Sequence, residues 1–217
     1  MRNVDKLRIY SVLCKCSRII GEMVSLMEYI FNLEEVAKKY SLGDMLTYRP
    51  IAKEVKSEVI SLLASLNIGS YFVFDFEGIG LCDTSFADEL LIETQFYLIK
   101  EKKENIIIYI QNFNQAIKEN IEGALLRRES KDGIRIFLLI KENGHYSKIG
   151  SKLEKNLENT FSFVCEKKRI SAREVAEKFE LEINSASNRL KKIYDAGLLL
   201  REEVIDNNGR QHIYYLP

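Results

Sequence analysis

Asp83, Thr84 and Ser85 stand together where a run of apolar residues gives way to a helical pattern. A hydroxyl placed there can cap the helix, because its oxygen satisfies one of the orphan amides of the first turn. It can also carry a phosphate, which the same amides and the positive end of the helix dipole would favour. That phosphate would add about two negative charges beside Asp83 and Asp88 and weaken any interface formed around the neutral loop. A second group lies near the carboxyl end, where Asn184, Ser185, Asn188, Arg189 and Lys192 recur within one helical stretch and Arg210 follows beside a polar turn. Asn and Arg can pair with base edges, while Ser and Lys suit phosphates, so these residues read as a DNA-contacting surface.

Other residues offer less. His145 and His212 are the only histidines, and neither assembles with a nucleophile and an orienting carboxylate. Cys14-Lys15-Cys16 is one close pair without the second pair a metal site needs, and Cys82 and Cys165 have no ligand spacing around them. Asp75, Asp83, Asp88 and Glu89 form an acidic group that a divalent cation could use, but solvation and helix-dipole partners are the simpler account. Neither a phosphate-cradling nor a dinucleotide glycine motif occurs. No catalytic residue, metal or cofactor is therefore expected.

The elements that must position these groups come from a globular chain. Of its 217 residues 46% are hydrophobic and 29% charged, with two prolines, which excludes extended disorder. The 32 basic and 32 acidic residues cancel, so a protein that coats nucleic acid or membrane over its whole surface is excluded, whereas a local basic patch is not. No run approaches the roughly 18 apolar residues of a membrane span. Free cysteines and an amino terminus without a secretory pattern predict a reducing cytoplasm.

Residues 7–31 carry scattered apolar side chains that would suit one or two short helices. A helix over 48–64 follows from Ile51, Val55, Val59, Ile60 and Leu63. Tyr71 to Phe76 reads as a buried strand after a turn at Asn67-Ile68-Gly69-Ser70, Ile106 to Ile110 as a second strand and Ile134 to Ile140 as a third, with a helix from Phe113 to Arg127. This alternation predicts a small α/β sheet with crossover helices over residues 1–148. Residues 145–152 are polar, with glycine and serine, and read as a linker to a separable unit over 152–217.

In that second unit Leu153, Leu157, Phe161, Phe163 and Val164 line a first helix, and Ser171 with Glu174 forms a capping box for a short second one. A third helix runs from about Ile183 to Ala196, Gly197 stops it, and a hairpin with its tip at Asp206-Asn207-Asn208-Gly209 follows.

Two resemblances rest on these residues. Tyr71 to Leu91, YFVFDFEGIGLCDTSFADELL, resembles the central signature of the STAS-like domains, a bacterial family related to the anti-sigma-factor antagonists. In antagonists an Asp-Ser-Ser-Gly stretch opens a helix after a strand, and its second serine accepts phosphate from a partner kinase. The matching stretch is Asp83-Thr84-Ser85-Phe86, so the resemblance implies Ser85 as phosphoacceptor, with Phe in place of glycine at position 86. Residues 152–217 resemble the winged helix-turn-helix domains of bacterial transcription regulators.

Together the residues and the resemblances imply a non-enzymatic transcriptional regulator. A STAS-like domain would meet a partner kinase or another regulatory protein through Asp83, Thr84 and Ser85, and a winged helix would engage duplex DNA. A homodimer would double contacts that are individually weak on a charge-balanced unit. The competing reading is a protein–protein adaptor whose winged helix binds protein rather than DNA.

Overall fold

The computed structural model describes residues 12–17, 26–66, 69–101, 106–206 and 209–217. Its elements are β1 (Val12–Ser17), β2 (Leu26–Asn32), α1 (Leu33–Lys39), β3 (Met45–Leu46), α2 (Arg49–Ser65), β4 (Ser70–Asp75), β5 (Leu81–Cys82) and α3 (Thr84–Ala87). After a π-helical turn over Asp88–Ile92 come α4 (Glu93–Lys100), β6 (Ile106–Gln111), α5 (Gln115–Asp132), β7 (Phe137–Glu142) and β8 (His145–Gly150). The chain ends with α6 (Lys155–Lys167), β9 (Arg169–Ser171), α7 (Ala172–Phe179), α8 (Ile183–Asp195), β10 (Leu200–Asp206) and β11 (Gly209–Tyr215). The protein is thus mixed α/β. Its main sheet has the order β1-β2-β4-β6-β7-β8, in which β2, β4, β6 and β7 run parallel and the two edge strands antiparallel.

The central strands are buried on both faces, as near-continuous apolar runs require. Phe72 and Phe74 of β4, Ile108 and Ile110 of β6, and Leu138 and Ile140 of β7 point into a core closed by α2, α5 and the helices between them. Phe31 meets Phe72 and Phe74 there, with ring centroids 5.8 Å from each. The alternate residues, Tyr71, Val73, Ile107, Tyr109, Phe137 and Leu139, belong to a second core shared with Leu157, Phe161, Leu198, Leu199, Tyr214 and Tyr215. The carboxyl-terminal helices and hairpin therefore cover the other face of the sheet.

Two expectations are corrected. The helices expected over residues 7–31 give way, within the described part of that stretch, to strands β1 and β2. The parallel edge of β4 supplies partners for β2, and burying Phe31 against Phe72 and Phe74 outweighs an ambiguous local pattern. The linker expected over 145–152 is instead largely strand β8. Asn143 and Gly144, both at positive φ (51° and 79°), form a two-residue turn that sends the chain back along β7. Tyr146 and Ile149 then reach opposite cores, and Lys148 pairs with Glu158 of α6 at 3.1 Å. Residues 67–68 of the expected turn, 207–208 of the hairpin tip, and the side chains of Cys14 and Cys16 lie outside the described residues.

Candidate functional site

The loop from Asp83 to Ser85 is fixed from both sides. The Asp83 amide donates to the Leu46 carbonyl at 2.9 Å, and Asn120 Nδ2 donates to the Cys82 carbonyl at 2.9 Å. The cap of α3 is Asp83, whose Oδ1 accepts from the Phe86 amide at 2.7 Å. Ser85, expected as a cap, instead donates its hydroxyl to that same Oδ1 at 2.7 Å, because it lies two residues inside the helix. Phe86 is fully buried, which accounts for an aromatic residue where the resemblance has glycine. Met45 and Tyr48 beside this loop are exposed. Ser85→Ala removes a hydrogen bond but keeps the cap, and should cost about 0.5–1.5 kcal/mol. Ser85→Asp sets a second carboxylate against Asp83 and should lower the thermal midpoint further. An Asp variant as stable as wild type would show that the loop rearranges freely.

Behind the loop, Asp88, Glu89 and Glu93 are committed to cations. Asp88 is 2% exposed and accepts from Arg49 Nη2 at 2.8 Å, Arg128 Nε at 2.6 Å and Arg127 Nη2 at 3.4 Å. Glu89 pairs with Arg49 and Lys56, and Glu93 with Arg128. Burial alone would push the Asp88 carboxyl up, but the hydrogen bonds from Arg128 and Arg49 hold it below the ordinary carboxylate range. Asp75 is satisfied by Gln111 Nε2 at 3.0 Å, Asn112 Nδ2 at 2.8 Å and the Glu77 amide at 3.0 Å. Among the described residues no group of three His, Cys, Asp or Glu is placed to hold a metal ion.

The carboxyl-terminal residues form a different kind of surface. Ser171 Oγ accepts from the Glu174 amide at 3.3 Å, and the Glu174 carboxylate accepts from the Ser171 amide at 2.8 Å, the capping box that starts α7. Ala186, Leu190 and Ile193 turn α8 inward, which leaves Asn184, Ser185, Asn188 and Lys192 exposed. Lys191, which the sequence reading passed over, lies on the same outward row three residues after Asn188, and its helical spacing was the available signal. Arg189 is less free than expected: it is half-buried, with its guanidinium over the Phe179 ring at 5.9 Å. Arg210 is exposed but paired with Glu203 across the hairpin.

Between the starts of α7 and α8 and strand β11 lies a groove of about 270 Å³, lined in part by Arg173, Asn184, Ser187, Arg210 and His212. Of these the sequence reading had singled out only Asn184 and Arg210 as contacts. Arg173, Ser187 and His212 come together only because the hairpin folds back over α8. The predicted residues thus divide into two groups on separate units: Asp83, Thr84 and Ser85 on the sheet unit, and the polar row with Arg210 on the helix–hairpin unit. No protein family, no curated protein and no solved structure matches the chain.

Proposed function

We propose that the chain is a non-enzymatic regulator that binds duplex DNA through α8 and the β10–β11 hairpin, read as the third helix and wing of a winged helix-turn-helix. The sheet unit, read as STAS-like, is the part that a protein partner engages. One observation carries the reading: Asn184, Ser185, Asn188, Lys191 and Lys192 are exposed on one helix and spend no side-chain hydrogen bond or ion pair on the described residues. Asn can pair with an adenine edge and Lys with phosphates.

Control would act at the Asp83–Ser85 loop, where a partner kinase could add phosphate to Ser85, since no ATP-cradling motif occurs in this chain. A homodimer would bring two such helices to one duplex, in a cytoplasmic setting. The alternative is an adaptor whose winged helix meets protein. Exposed Glu182 and Asp195, just before α8 and at its last turn, favour that reading because they oppose a phosphate backbone.

An electrophoretic shift with a random duplex pool and with genomic fragments separates the two. A shift at micromolar protein that weakens with salt is expected. Lys192→Ala should reduce binding to all sequences and lower the salt slope by about one, and Asn188→Ala should change the sequence preference. No shift in either pool at low salt would favour the adaptor.

A further inference from the structure

Acidic and basic side chains around Asp88 are spent on one another, whereas the groove at the start of α8 holds uncommitted ones. Arg173, Asn184, Ser187 and His212 line it and make no side-chain hydrogen bond or ion pair with the described residues. His212 lines the groove, and its imidazole Nδ1 is enclosed without a hydrogen-bond partner. Arg210 completes the set but is held by Glu203, whose residue stands directly opposite His212 in the hairpin. Two guanidiniums in one groove, together with a hydroxyl, an amide and an imidazole, suit a tetrahedral anion held by several donors at once.

We propose that this groove grips one phosphate of the nucleic-acid backbone, and that Glu203 is an electrostatic latch on it. The inference rests on the DNA-binding reading above. The outward row of α8 adjoins the groove, so a strand whose phosphate sits in it is placed to offer its base edges to Asn188. Without DNA, Glu203 neutralises Arg210 and presents its own negative charge beside the groove. Binding transfers Arg210 from the carboxylate to the phosphate. The remaining carboxylate then repels the bound strand, so the latch lowers affinity for every duplex alike and leaves base discrimination to α8.

The test uses the full chain and a fluorescently labelled random duplex, with affinity read by anisotropy over a salt series. Wild type is compared with Arg173→Ala, Ser187→Ala and Glu203→Gln. Arg173→Ala should bind several-fold more weakly, with a salt slope lower by about one, and Ser187→Ala should weaken binding at an unchanged slope. Glu203→Gln should bind several-fold more tightly, with a slope higher by about one, because the carboxylate charge that opposes the bound strand is gone. Inorganic phosphate, at ionic strength matched with chloride, should not displace the duplex.

Displacement by inorganic phosphate would assign the groove to the free ion and overturn the proposal. Wild-type binding left unchanged by both Arg173→Ala and Glu203→Gln would overturn the groove and its latch while DNA binding stands. Failure of wild type and Glu203→Gln alike to bind any duplex at low salt would overturn the DNA reading itself. Arg173 and Glu203 sit on different elements and outside the cores, so their variants report independently.

Discussion

A fragment that begins at Lys152 is expected not to fold as a stable monomer, and the full chain is expected to unfold in one cooperative transition. The carboxyl-terminal unit places Leu157, Phe161, Leu198, Leu199, Tyr214 and Tyr215 in the same core as Tyr71, Val73, Tyr109 and Phe137 of the sheet. Re-exposing each large apolar side chain costs about 1.5–3 kcal/mol. Losing cover from three or four of them would consume most of the roughly 5–15 kcal/mol that holds a domain together. Near-ultraviolet circular dichroism follows the tyrosines at the contact and far-ultraviolet dichroism follows the helices. Coincident melting by the two signals, with the fragment aggregated or lacking a cooperative melt, is the expected pattern. Two well-separated transitions, or a fragment that melts cooperatively on its own, would show that the units are independent despite their contact.

Replacing Asp88 by Ala should cost the chain about 3 kcal/mol or more, since breaking a buried ion pair leaves its partners uncompensated, and the effect is typically 3–5 kcal/mol. The lower end applies because Arg49 and Arg127 are 40% and 54% exposed and can rehydrate, whereas Arg128, at 24%, cannot do so fully. The acid response follows from the same contacts. The folded-state carboxyl titrates below its unfolded value of about 3.9, so its stabilisation is complete above that value and is lost as pH falls through the folded one. Urea midpoints measured from pH 6 down to pH 2 should fall more steeply below about pH 4 for wild type than for Asp88→Ala. Parallel profiles would mean that the arginines do not hold this carboxylate in solution.

Much of the local structure was legible because it depends on short-range chemistry. The capping box at Ser171 and Glu174 needs only the three-residue spacing of a helix start, and the structure forms both of its hydrogen bonds. The apolar runs at Tyr71–Phe76 and Ile106–Ile110 form strands, and α2 and α8 fall where the 3.6-residue spacing placed them, whereas α5 runs on to Asp132, five residues past the expected end at Arg127. The polar row of α8 follows directly from its buried row.

The chain's own pattern therefore determined which segments form most of its helices and the strands β4, β6, β7, β10 and β11, and which residues of α8 must face outward. Tertiary structure decided three things that no local window contains. Residues 26–32 became a strand because β4 offers an edge and an aromatic neighbour set. Asp88 is buried only because Arg49 on α2 and Arg127 and Arg128 on α5, each about 39 or 40 positions away, meet it. The second face of the sheet is filled by the carboxyl-terminal unit, and the groove of Arg173, Ser187 and His212 exists only once β11 returns past α8. Periodicity states that a side chain must be buried, or left in water, but not against what. The partner is chosen by chain return, which brings together groups far apart in sequence at the cost of ordering the chain between them.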